Sequence, residues 1–149
     1  MNNKKIKELT IDVKDKIRAY YEAKFRIVNT DKWIKNHRAR TCNPRSVNFE
    51  GTQCELNPYA FQEKLNEYAD YITLLEQKRE DAEHYRDWFE PFWLELTEKE
   101  QELLAMYQNG TTDKTIVREL AIRYDVSERQ IERLRDQALE RLRLLLYGL

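Results

Sequence analysis

The sequence predicts an all-α fold: an N-terminal antiparallel helical hairpin followed by a C-terminal helix-turn-helix. Three observations carry the fold class. Gly and Pro number only three each in 149 residues, with 36% charged and 41% hydrophobic residues, a helix-rich globular profile. Apolar residues recur at spacings of three and four along most of the chain, the period of one buried helix face. Two cap signatures, Thr97-Glu98-Lys99-Glu100 and Ser127-Glu128-Arg129-Gln130, stand before apolar runs near the C-terminus, where a hydroxyl and an amide or carboxylate can satisfy the first backbone N–H groups of a helix.

Residues 4–36 read as one helix or two in series, with Ile6, Leu9, Val13, Ile17, Tyr20, Tyr21, Phe25 and Val28 as the apolar stripe. Asn29-Thr30-Asp31 offers a cap for a second short helix carrying Trp33 and Ile34. Residues 41–58 hold Pro44, Pro58, Gly51 and several Asn, Ser and Thr, the composition of a loop. Pro58 suits the first turn of the next helix, since a first-turn N–H has no helical partner to lose. Phe61, Leu65, Tyr68, Ile72, Leu75, Ala82, Tyr85 and Phe89 form its stripe, broken once at Arg79, and Pro91 is expected to end or kink it. The expected domains are therefore a hairpin over 1–90 and a C-terminal unit over 97–149.

Charge is split along this plan. Residues 1–40 hold 12 Lys/Arg and 5 Asp/Glu, residues 41–96 hold 5 and 12, and the whole chain carries −1. The two blocks either pack on each other or one meets a charged partner.

The C-terminal unit is read from Thr97. Its first helix carries Leu103, Leu104 and Met106 and stops at Asn109-Gly110; Thr111 or Thr112 caps the next, with Ile116, Val117, Leu120 and Ala121 facing inward. Tyr124-Asp125-Val126 is a short turn, in which Asp tolerates a left-handed backbone better than most residues. Ser127 caps the last helix, Glu128 to about Tyr147, and Val126 with Ile131 supplies the hydrophobic staple. Small Ala121 permits a close helix crossing. This is the layout of a helix-turn-helix, whose second helix enters the DNA major groove with its first turns facing the bases.

The run 120–134, Leu-Ala-Ile-Arg-Tyr-Asp-Val-Ser-Glu-Arg-Gln-Ile-Glu-Arg-Leu, and the closing Ala138-Leu139-Glu140-Arg141-Leu142-Arg143 resemble region 4 of bacterial sigma factors. The overall layout is similar to small phage regulators of the ArpU and RinA type, late-gene activators. The resemblance implies a phage or prophage transcription activator, not an enzyme, acting on double-stranded DNA in the cytoplasm of a bacterial host cell. Ser127, Glu128, Arg129, Glu132 and Arg133 are the expected base-facing residues, and Lys114 and Arg118 the expected phosphate contacts. Glu128 and Glu132 make this face less basic than many. Rival readings are a small terminase-like packaging protein and an adaptor that meets RNA polymerase. Leu139, Leu142, Leu145 and Leu146 are expected to pack back on the first helix of the unit or on the hairpin, with homo-oligomer formation as the alternative.

The remaining signals point elsewhere only weakly. His37, Cys42, Cys54 and His84 lack the paired short spacing of a structural zinc site, so no metal is expected. No glycine-rich phosphate loop, nucleophile elbow or HExxH motif occurs, and neither cofactor nor catalytic residue is expected. The two cysteines make no disulfide framework, no run approaches about 20 apolar residues, and no signal peptide is expected. Trp33, Trp88 and Trp93 are expected to anchor helix packing.

Overall fold

A computed structural model describes residues 2–41, 58–109 and 114–149. These residues are all-helical, without strands: α1 (Asn3–Thr41), α2 (Pro58–Leu94), α3 (Glu98–Leu104), a short 3-10 helix (Ala105–Asn109), α4 (Lys114–Tyr124) and α5 (Glu128–Tyr147). The expected loop at 41–58 falls, apart from its two end residues, outside the described residues, with Cys42 and Cys54. So do Gly110, Thr111 and Thr112, the expected stop and caps before α4.

The chain forms two compact units, Met1–Ala23 with Tyr85–Leu149, and Lys24–His84. The sequence puts its boundary at 90–97, but the first unit takes in both the start of α1 and the end of α2. The reason is its core. Val13, Ile17, Tyr20, Phe89 and Trp93 are buried in the same cluster as Leu103, Leu104, Val117, Leu120, Ile131, Ala138, Leu139 and Leu142. Tyr20, Phe89 and Trp93 form a triangle of rings, with Tyr20 5.0 Å from Phe89 and 5.7 Å from Trp93, and these two 6.0 Å apart. The Tyr85 hydroxyl donates to the Lys16 carbonyl at 2.7 Å, and the Tyr147 hydroxyl donates to Asp12. Of the C-terminal leucines, Leu139 and Leu142 are buried, and Leu145 and Leu146 pack partly buried against the cluster.

Helix α1 is continuous where a break at 29–31 is one of the two expectations. The Thr30 hydroxyl donates to the Arg26 carbonyl at 2.6 Å and the Asn29 amide to the Phe25 carbonyl at 2.7 Å. Both side chains thus bond back into the preceding turn instead of capping a new helix. The stripe holds through Tyr21, but Phe25 and Val28 are 63% and 77% exposed. Buried Tyr20, Ala23 and Thr30 carry the inward face on, through smaller residues than the pattern suggested.

Helix α2 runs past Phe89 and through Pro91 to Leu94, beyond the expected end. Proline forfeits one backbone bond there, while buried Phe89, Trp93 and Leu96 hold the segment on either side. The Gln101 amide donates to the carbonyls of Trp93 and Leu96 at 3.0 and 3.1 Å, satisfying acceptors that the helix end leaves open. Trp93 is a core anchor, Trp33 is half-buried against Phe25, and Trp88 is exposed beneath the Lys16 ammonium.

In the unit Lys24–His84 the two segments run in opposite directions. Asp31 pairs with Arg79 at 2.5 Å, His37 stacks on Tyr68 and lies tilted against Tyr71, and the Arg38 Nε donates to the Tyr68 hydroxyl at 3.2 Å. Arg79, the interruption of the α2 stripe, is thus accommodated by an ion pair.

Two outcomes follow from the shared core. Ile17→Ala should cost about 2–5 kcal/mol, and urea unfolding should show the loss in the helices of residues 98–147 as well as in α1. Burial pushes the Tyr20 and Tyr107 hydroxyls up to about 12. Unfolded tyrosine ionises near pH 10, so the stabilisation is complete below about pH 10 and is lost as pH rises through about 12. Alkaline titration followed by tyrosinate absorbance and circular dichroism should therefore show unfolding in that window.

Candidate nucleic-acid interface

The geometry of the turn between α4 and α5 follows from three residues. Asp125 takes φ +53°, the left-handed conformation expected of it. That reversal lets the Val126 N–H reach the Ala121 carbonyl at 3.0 Å and the Asp125 N–H reach the Ile122 carbonyl at 3.3 Å, a Schellman ending that satisfies the last carbonyls of α4. Ser127 then sits at φ −72°, ψ 157°, and its hydroxyl accepts from the Gln130 N–H at 3.1 Å. The Thr97 cap of α3 is a full reciprocal box, with Glu100 accepting from the Thr97 N–H at 3.1 Å. At Ser127 only the hydroxyl half is made, so the expected second box is a simple cap.

Beneath the turn, Val117, Leu120, Ala121 and Ile131 are buried, and Tyr124, Val126 and Leu134 pack partly buried on the same cluster. Ala121 is 7% exposed. The Tyr124 hydroxyl donates to Glu102, Arg123 pairs with the same carboxylate, and the Lys99 ammonium lies 4.7 Å over the Tyr124 ring. The end of α4 is thereby fastened to α3. The far half of α5 is fastened too. Arg141 bonds Glu100 at 2.5 Å and the Glu95 carbonyl at 3.2 Å, and Arg143 bonds the Thr10 hydroxyl at 3.5 Å.

One face of the first two turns of α5, opposite buried Ile131, stays open to solvent. Ser127, Glu128, Arg129, Glu132 and Arg133 are all exposed, as are Lys114 and Arg118 on α4. Two of these expected contacts meet each other: the Arg118 Nε lies 3.3 Å from a Glu128 carboxylate oxygen. Such an exposed pair contributes only about 0–1 kcal/mol, so both groups remain exchangeable for other partners. Gln130, which the sequence reading spends on a capping box, keeps its side chain exposed in the same two turns. The signal that could have found it is its place three residues after the cap, one turn before Arg133. The surface therefore combines a helix N-terminus, which favours anions, with guanidinium and amide groups that match guanine and adenine edges.

Comparison of the chain with protein-family models, with curated proteins and with solved structures finds no match. Among the described residues no helix is long and apolar enough to cross a membrane.

The turn makes its own prediction. Asp125→Val should destabilise the protein by about 1–2 kcal/mol, because a β-branched residue is strained in the left-handed region. Asp125→Gly should lose far less. Denaturant unfolding of the two variants measures the difference, and equal losses would remove the backbone strain from the account.

Proposed function

We propose that this protein is a sequence-specific DNA-binding transcription regulator that presents the first two turns of α5 to the major groove. The observation that carries the reading is the division of the start of α5 into a buried face and an exposed one. Ile131, Ala138, Leu139 and Leu142 are buried, whereas Ser127, Glu128, Arg129, Gln130, Glu132 and Arg133 are exposed beside a capped N-terminus. Position and rigidity matter here because base-edge recognition needs side chains carried on a fixed helix.

On this reading Arg129 and Arg133 address base edges, with bidentate pairing to guanine as their strongest option. Glu132 accepts from a cytosine amino group and Gln130 addresses adenine. Ser127 and the α5 N-terminus hold a phosphate, and Lys114 contacts the backbone from α4. The Arg118–Glu128 pair opens on DNA, freeing Arg118 for phosphate and Glu128 for a base. The near-balance of charge on this surface makes non-specific affinity low, since phosphate neutralisation supplies most of it. Specificity then rests on base contacts. The likeness of residues 97–146 to sigma region 4, and of the whole layout to ArpU- and RinA-type regulators, favours activation of phage or prophage genes in a bacterial cell.

Selection of binding sites from random duplex DNA by the full chain should yield a defined motif. Against that motif, Arg129→Ala and Arg133→Ala should each weaken binding by about 1–3 kcal/mol, measured by fluorescence anisotropy. Lys114→Ala should weaken all duplexes about equally and lower the salt slope by about one. Wild-type affinity in both arginine variants, with circular dichroism unchanged, would exclude them from the readout.

A further inference from the structure

Glu102 stands on α3 beside the junction of α4 and α5. Both of its carboxylate oxygens are taken by consecutive residues at the end of α4. One pairs with the Arg123 guanidinium, and the other accepts from the Tyr124 hydroxyl. One turn earlier on α3, the Lys99 ammonium lies over the Tyr124 ring, which packs half-buried against the core. α3 thus grips α4 at its last residue, and the chain reverses at the next one, Asp125.

The consequence lies beyond α4. After Asp125 come Val126, whose N–H bonds the Ala121 carbonyl, and Ser127, whose carbonyl accepts from the Ile131 N–H in the first turn of α5. Three residues therefore separate the Tyr124 anchor from Glu128, where α5 begins. Apolar burial holds α5 at its depth but is non-directional. Ile131 fixes how closely the first turn approaches the core. Ala138, Leu139 and Leu142 act from further along, with Ala138 roughly 13 Å down the helix from Arg129. Direction at the start of the helix comes from the backbone that enters it. That backbone is tied to α3 by a hydrogen bond and an ion pair through one carboxylate. An ion pair so exposed adds little to stability. What it supplies is orientation, and a binding constellation tolerates only about 0.5 Å and about 10–20° of error.

We propose that Glu102 is a positioning residue for the DNA readout: through Tyr124 and Arg123 it fixes the angle at which the first turns of α5 meet the major groove, and so governs the ratio of specific to non-specific binding. The inference rests on the proposed DNA reading. Glu102 itself touches no base. The sign of its effect separates positioning from plain electrostatics. Removing a carboxylate near the interface strengthens attraction to every duplex alike, whereas losing the tie weakens only those contacts that need a fixed helix.

The test compares Glu102→Ala, which removes both contacts, with Tyr124→Phe, which removes only the hydroxyl and leaves the ring and the charges in place. Fluorescence anisotropy with the full chain gives the ratio of affinities for the selected duplex and a random duplex of equal length. That ratio should fall by about tenfold in each variant, the order of one misplaced base contact. Hydrogen exchange in the free protein should quicken by about tenfold at the Val126 and Ile131 amides. Circular dichroism should be unchanged, and the amides of Ile17 and Leu142 should exchange as slowly as before. An unchanged ratio in Tyr124→Phe overturns the proposal, even where Glu102→Ala fails to fold. Equal gains for both duplexes in Glu102→Ala overturn it too, and so does unchanged exchange at Val126 and Ile131. A wild type that selects no duplex defeats the DNA reading itself, a result the unsubstituted chain gives alone, so the two failures are told apart.

Discussion

Tyr20, packed against both Phe89 and Trp93, joins the start of α1 and the end of α2 to the core of the C-terminal helices. Everything proposed for α5 depends on that joining. Three short helices of 7, 11 and 20 residues can bury only one side each, and short helices draw most of their stability from tertiary packing. With Val13, Ile17 and Tyr20 added on one side and Phe89, Trp93 and Leu96 on another, the cluster encloses Leu104, Ile131 and Leu142 completely. Polar ties reinforce it: Gln101 to the carbonyls of Trp93 and Leu96, Arg141 to Glu100 and Glu95, Tyr147 to Asp12. The exposed face at the start of α5 is fixed in place through Ile131 beneath it and through the buried Ala138, Leu139 and Leu142 further along.

Local chemistry was legible in the sequence wherever a residue's backbone role is nearly unique. Thr97 with Glu100, Asp125 at positive φ, Ser127 as a cap and Ile131 beneath the turn all sit where their side-chain chemistry requires. Competition between roles was not legible. Asn29 and Thr30 serve equally well as caps or as side chains bonded back into a helix, and burial of Thr30 decided for the second. Phe25 and Val28 continue the α1 pattern as well as Ala23 and Thr30 do, and size misleads, because the inward face of that segment takes small residues. Pro91 looks like a terminus because its lost hydrogen bond is local, whereas the burial of Trp93 and Leu96 that carries α2 onward comes from residues distant in sequence.

Electrostatics divides the molecule's tasks. The ion pairs among the described residues are mostly exposed, and contribute little each; they set register, as Asp31 with Arg79 does, more than they hold the fold. On the candidate interface the same weakness is useful. Arg118 and Glu128 occupy each other in the free protein, so the surface is close to neutral until a ligand offers both groups better partners. A nucleic acid with phosphate beside a base-edge donor has that chemistry.

The most direct measurement of the central claim is a titration of the isotopically labelled full chain with a duplex selected by the protein itself, followed by amide nuclear magnetic resonance. The account predicts that the largest shift changes fall on residues 127–133 and 114–118, while the amides of buried Ile17, Tyr20 and Leu142 move little. Shift changes centred on α1 or α2, or none on α5 at low salt, would contradict it.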